Sequence, residues 1–478
     1  MIYFFFYDVE TPTYDPTYEP TDETTIAPQT NTPTKAPQTN IPTYDPETTA
    51  PSERPSNPPD FETCEWFFWG ADEARGGILG DNQKVPHLYE WPTVLDLSSG
   101  SRHIFIIEKK GIAMAAGFIE SKAAYRGHLG IKNWVQGSNE FTPVDEVVIY
   151  DDINGVRETV PAPRFKRVFA GAGTPGDTKA MHSILIDQDG EVFTTGNNDR
   201  GQLCLGDQDP RFIPHHVPNL PGPAVAASVG FDFTLILLED GRVFGCGSNQ
   251  NGEIGLGQKI HHSLFAAKID IGNTKAIVDV STGWAFSLFR DAAGHVFGTG
   301  SNLFSQMCKT TEGDPIFEPE LIEGVMDVHQ IFAGSESSYF LQEDGSVTAC
   351  GRNDQGQLGD GTFFQKDKPV TVKIPKKEKI HLIGSGPSAA SVFFVGEGPG
   401  VMFATGINDR FQLGLGLGVN NLAAASTPAA VDFGDDAAMF NFTKVSASGT
   451  NAAAIACMMD APTGTPTAYP TDLPTAIP

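Results

Sequence analysis

Apolar positions in this chain fall in short runs of β-branched and aromatic residues, broken by glycines and Asp-Gly turns. No stretch sustains a 3.6-residue apolar period, so the pattern predicts an all-β chain. The clearest unit is Phe233–Leu238 (FTLILL), the turn Glu239-Asp240-Gly241, and Val243-Phe244, which together predict a β-hairpin. The second half of that unit recurs. GEVFTTGNNDRGQL starts at Gly190, GRVFGCGSNQNGEIG at Gly241, GHVFGTGSNLFSQM at Gly294, GSVTACGRNDQGQLG at Gly345 and GVMFATGINDRFQLG at Gly400. Those glycines stand 51 to 55 residues apart, a spacing that signals a repeat architecture. A second glycine follows in each copy (Gly196, Gly247, Gly300, Gly351, Gly406) with Asn two residues on, supplying backbone conformations that other residues resist.

A degenerate copy lies upstream, where LSSGSRHIFIIEKKGIAMAAG repeats the spacing of Gly100 to Gly111. In the copy ending at Gly190 a polar insertion, about residues 174–179, lengthens the interval from Gly171. The two ends complement each other. Trp66–Gly80 (WFFWGADEARGGILG) matches only the second half of a unit, and Val445–Asp460 (VSASGTNAAAIACMMD) only the first. Two such halves predict a closed ring whose last blade is shared by both termini, which also removes open sheet edges. The predicted fold is a seven-bladed β-propeller over residues 61–460, flanked by disordered tails at 1–60 and 461–478.

The wording G-x-V-F-x-x-G-x-N-x-x-G-Q-L-G resembles the repeats of the RCC1 (regulator of chromosome condensation) family, and the resemblance covers roughly Cys64 to Asp460. The family's shared terminal blade fits the two half-units. Its members include exchange factors for a small GTPase, chromatin binders, a plant ultraviolet photoreceptor and bacterial protein inhibitors, so the resemblance implies fold but not function. The histidine common after the family's core glycine occurs only as His103 and His182, with Phe233 and Phe286 at equivalent positions. A photoreceptor needs tryptophans clustered across several blades, and the core repeats offer Trp284 alone.

Charge narrows the partners. Lys and Arg total 32 against 59 Asp and Glu, a formal charge of −27, which repels nucleic acid, whose binding needs cations on phosphates. The basic stretches Arg164–Arg167 and Lys366–Lys379 read as solvated loops beside strands. Residues 8–60 and the segment after Asp460 are rich in Thr and Pro, a composition that buries too little apolar area to order itself. Such tracts resemble the O-glycosylated spacers of secreted or wall-associated proteins. Met1–Tyr7 (MIYFFFY) is apolar but lacks a basic start and meets Asp8 at once, so it does not read as a complete secretion signal. No run approaches the length of a membrane span.

Six cysteines are present. Repeat alignment places Cys64 and Cys457 on either side of one hairpin turn, so a bridge between them would clasp the ring shut. Cys204 and Cys308 occupy one repeat position, Cys246 and Cys350 another, and these four are expected to pack as small hydrophobes.

No catalytic constellation emerges. Gly171–Thr178 (GAGTPGDT) imitates a phosphate loop, but Asp177 stands where the lysine is needed and no helix follows. His215-His216 and His261-His262 lack the further partners of a zinc site, so no metal and no cofactor are expected. Asp199, Asp354 and Asp409 recur at one repeat position, which fits turn chemistry. The binding candidate is an insertion at about residues 126–160, bearing Trp134, Phe141, Tyr150, Asp151 and Asp152, because long loops on a rigid scaffold concentrate binding residues. An extra hairpin packed on the blade's edge is the structural alternative. Asn441-Phe-Thr443 is a glycosylation sequon, expected in a loop. The sequence thus predicts a monomeric, non-catalytic scaffold that binds a protein or glycan, outside the cell or at its surface. The family resemblance adds the alternative of an exchange factor for a small GTPase in the cytoplasm or nucleus.

Overall fold

In the computed structural model the described residues are 64–70, 83–89 and 93–458, apart from 101–102, 118–126, 133–140, 152–155, 172–180, 273–274, 311–314, 387–388, 417–422, 435–437 and 450. The tails lie outside them. The strands sort into seven antiparallel blades whose innermost strands contact one another around an axis. Blade 3 shows the pattern. Ala224–Val229 is innermost, then Phe233–Leu238, Val243–Ser248 and the outer His262–Lys268, in hydrogen-bonded order. Its second strand, FTLILL, is buried along its whole length because neighbouring blades cover both faces.

Blade 7 is composite. Phe440–Ala447 and Asn451–Met458 come from the C-terminal side, Cys64–Gly70 and Gln83–Tyr89 from the N-terminal side. Cys64–Gly70 runs antiparallel to Asn451–Met458 with Cys64 opposite Cys457, and the two are joined by a disulfide. Trp66 and Trp69 of the same strand are fully buried, Trp66 toward blade 1 and Trp69 against Phe393 of blade 6.

In six blades the third strand carries a glycine of positive φ at or next to its end: Gly70, Gly196, Gly247, Gly300, Gly351 and Gly406. Gly406 has φ +103°, and a Cβ there would stand 2.0 Å from the carbonyl oxygen of Ala390, so both conformation and space demand glycine.

The long interval after Gly117 resolves into distinct parts. Gly127-His128-Leu129-Gly130 is blade 1's own copy of the G-Q-L-G loop, since Gly130 N donates to Gly127 O as Gly255 N does to Gly252 O. The true addition is a hairpin, Glu146–Asp151 with Val156–Pro161, that continues blade 2 outward into a six-stranded sheet. It joins through a parallel bridge from Val148 to His215. Val147 is buried with Phe165, Leu129 and Phe193, so the hairpin seals the seam between blades 1 and 2.

The remaining four cysteines correct the expectation of free, packed thiols. Cys204 pairs with Cys246, and Cys308 with Cys350, each across a blade junction and 42 residues apart. Alignment by equivalent positions hid this, because it compared cysteines two blades apart and not the contact between one blade's loop and the next blade's third strand. At corresponding junctions a glycine faces a threonine, as Gly255 faces Thr299 and Gly130 faces Thr195, with a Cβ contact to the threonine methyl of 3.3 and 3.5 Å. Cysteine replaces both partners together. Cys204 and Cys308 even keep the glycine's left-handed backbone, at φ 60° and 52°.

Candidate binding face

Two kinds of loop emerge on one face of the ring: those joining strands one and two, and those joining strands three and four. The first kind carries Gly230-Phe231-Asp232 in blade 3, Gly283-Trp284-Ala285 in blade 4 and Gly334-Ser335-Glu336 in blade 5. Their backbones are linked from blade to blade. Phe231 N donates to Trp284 O at 3.2 Å, Trp284 N to Ser335 O at 2.9 Å, and Ser335 N to Ala389 O at 3.3 Å. The second kind is fixed by the repeat asparagine. Asn249 Oδ1 accepts from Ile254 N at 3.1 Å and Asn302 Oδ1 from Met307 N at 2.9 Å. The recurring asparagines are therefore turn-formers, and both loop types present their side chains on stiff backbone.

Between them lies a depression of about 270 Å³ lined by Phe231, Asp232, Glu253, Trp284, Leu303 and Phe304 among others. Trp284 is 39% exposed and Leu303 62%, so the two present apolar surface side by side in this lining. Phe231 and Trp284 meet edge to face with centroids 5.7 Å apart. On the blade 5 side, Arg352 lies 4.9 Å from the Phe304 ring and is anchored by Glu336 and by Asp354, the latter at 2.7 Å. Burial works against ionising Asp354, but the Arg352 hydrogen bonds outweigh it and hold the carboxyl below the usual range. Phe363 and Phe364, in blade 5's own loop between strands three and four, are also exposed.

The residues singled out from the sequence do not meet. Phe141 packs edge to face on Trp66 at 5.6 Å, inside the seam between blades 7 and 1. Tyr150 is 44% exposed on the added hairpin, and Asp151 ends that strand. Trp134 and Asp152 lie outside the described residues. Asn441 sits in the inner strand of blade 7, opposite Cys457 and half-buried, where a loop was expected. His216 pairs with Glu191 at 2.6 Å, while burial, then Arg211 and Arg157, pull His215 down to about 4. Among the described residues no group of three or more His, Cys, Asp or Glu is placed to hold a metal ion. No helix among them is long and apolar enough to cross a membrane. The aromatic depression was missed because its lining comes from four blades. Its one sequence signal was Trp284, the lone tryptophan of the clear repeats.

The RCC1-like domain family model matches residues 65–454. The bovine "Secretion-regulating guanine nucleotide exchange factor" is 29% identical over 259 residues, 52% of this chain and 53% of that protein. The "Ultraviolet-B receptor UVR8" of Arabidopsis thaliana is 27% identical over 263 residues, 52% of this chain and 59% of the receptor. This chain thus spans about half the length of these curated relatives. Among solved structures, human WBSCR16 superposes with a TM-score of 0.66 at 19% identity, over 83% of this chain and all of that one.

Proposed function

The chain belongs to the RCC1-like domain family, and from that premise we propose that it is a non-catalytic scaffold which binds a protein partner or glycan on the face of blades 3 to 5, outside the cell or at its surface. The observation that carries the binding reading is the half-exposed Trp284, walled by Phe231, Leu303 and Phe304 on backbone already fixed by hydrogen bonds. A partner that covers these groups gains apolar burial without ordering the loops, which is how a few rigid aromatics come to dominate an interface. The compartment reading is supported by the cysteines. All six are paired, and a reducing cytosol does not sustain structural disulfides in ordinary proteins.

The name of the bovine relative favours a second reading, nucleotide exchange on a small GTPase. Such an activity needs an intracellular location, against which the three bridges stand. The two readings separate cleanly by experiment. Trp284→Ala, on the oxidised full chain, is expected to weaken capture of the partner by roughly thirtyfold or more, the loss typical of an interface hot spot. The melting midpoint should fall by only a few degrees, because the side chain is already partly exposed. Undiminished capture by that variant sinks the face assignment. Acceleration of nucleotide release from a small GTPase by the wild-type chain would move the second reading to the front.

A further inference from the structure

The G-Q-L-G loops share one device. The glutamine's Oε1 accepts the backbone N–H two residues before it: Arg200 N to Gln202 at 2.9 Å, Phe304 N to Gln306 at 2.9 Å, Gln355 N to Gln357 at 2.9 Å and Arg410 N to Gln412 at 2.8 Å. The glutamine's amide NH2 then remains to donate. Blade 3 breaks the pattern, because its residue is Glu253. Glu253 Oε2 takes over the structural bond, accepting Asn251 N at 2.8 Å. Its Oε1 accepts Ser248 Oγ at 3.2 Å and Asn251 Nδ2 at 3.0 Å, so an anionic oxygen stands where the other blades present a donor.

That carboxylate is 4% exposed and pairs with no Lys, Arg or His among the described residues. A buried charge without a counter-charge is costly, and the loop would close as well with glutamine. Glu253 lines the Trp284 depression. Glu336, also in the lining, is already neutralised by Arg352. Among the described residues Arg200 is the one cation in the lining, and it is exposed and forms no ion pair with them. The depression therefore combines a carboxylate that pairs with no cation among the described residues, Glu253, with two aromatic walls, Phe231 and Trp284. Those are the elements that hold a cation: a charge-assisted hydrogen bond at the floor and ring faces at the side. A volume of about 270 Å³ falls below the range of small-molecule sites and suits one long side chain.

We propose that the depression receives a single cationic side chain, an arginine or lysine of the protein partner, with Glu253 as its counter-charge and Trp284 and Phe231 as its walls. The assignment rests on the binding face described above and narrows its occupant. An acidic chain of net charge −27 would attract a basic partner over distance, and this pocket would fix its register.

The test is calorimetric titration of the oxidised full chain with acetyl-Gly-Gly-Arg-Gly-Gly-amide, with the same peptide carrying citrulline, and with spermidine. The arginine peptide should bind about tenfold or more tightly than its neutral isostere, the advantage expected of a charge-assisted hydrogen bond. Glu253→Gln should erase that preference without lowering the melting midpoint, since four other blades carry glutamine there. Equal affinity for the two peptides, no binding of the arginine peptide, or a preference that survives Glu253→Gln overturns the proposal. Spermidine binding more tightly than the peptide and depending on Glu253 would assign the pocket to a free polyamine and overturn the protein-side-chain reading. If Glu253→Gln leaves partner capture intact while Trp284→Ala abolishes it, the cation pocket fails and the binding face stands.

Discussion

Replacing both Cys64 and Cys457 by alanine is expected to lower the unfolding free energy by about 4 kcal/mol, read as a fall in the guanidinium midpoint at unchanged slope. The bridge closes a loop of 393 residues, nearly the whole propeller, so the entropy it removes from the unfolded chain is near the upper end for a single disulfide. Residual structure in the unfolded chain commonly brings the measured loss below the chain-entropy figure, which keeps the expected loss at about 4 kcal/mol. Alanine suits the site, because Cys457 follows a strand of Ala452, Ala453, Ala454 and Ala456, all buried. The first amides to exchange in the variant should be those of Cys64–Gly70, the strand that closes the ring. An unchanged midpoint would mean that strand pairing and the Trp66 and Trp69 anchors hold the ring alone.

Acid should act through two buried histidines at the seam of blades 1 and 2. His103 and His128 are both fully buried, with ring centroids 5.0 Å apart, and His103 Nε2 lies 3.1 Å from Ser183 Oγ. Burial pulls His128 down to about 3, and burial together with the charges His128 and His182 would carry pulls His103 well below 6.5. The unfolded chain protonates these rings near pH 6.5 and the folded chain does not. Their contribution to stability is therefore complete above pH 6.5 and declines as pH falls toward 3. For His128 the loss between pH 7 and pH 4.5 is about 2–3 kcal/mol, and His103 adds in the same direction. Asp279, pushed up to about 6 by burial, gains protons on folding and opposes this trend. A difference measurement isolates the histidine. His128 occupies the repeat's glutamine position, so His128→Gln should fold and should flatten the stability profile between pH 4.5 and 6.5 by that amount. Parallel profiles for variant and wild type would contradict the assignment.

Blade closure was legible in the sequence because it is a matter of period. A strand-turn-strand unit that recurs every 51 to 55 residues, with complementary halves at the ends, leaves few arrangements open. What escaped was everything that depends on contact between blades. Cys204 and Cys246 come from adjacent repeats at different positions, and only the geometry of the junction reveals that a glycine-threonine pair has become a cystine. The Trp284 depression likewise takes its lining from four blades, and the repeat period alone does not bring Phe231, Glu253 and Trp284 together. The insertion was visible as excess length, but length does not distinguish an exposed aromatic patch from a hairpin that buries Val147 in the seam. Glu253 was legible as a departure from G-Q-L-G. Its meaning appeared only when the neighbouring loops showed what a glutamine does there.

These observations describe a disulfide-stitched ring that presents a rigid, aromatic depression with Glu253 in its lining. The stitches fall at the junctions of blades 2 with 3 and 4 with 5, and within blade 7. One of them lies at the edge of the blades that build the depression and one lies between two of those blades.

Peptide mapping by mass spectrometry of the native protein, alkylated without reduction, tests the account most directly. The account predicts three cystine peptides, Cys64–Cys457, Cys204–Cys246 and Cys308–Cys350, and no alkylated thiol. Six alkylated cysteines would place the chain in a reducing compartment, contradict the secreted scaffold and leave nucleotide exchange as the reading to pursue.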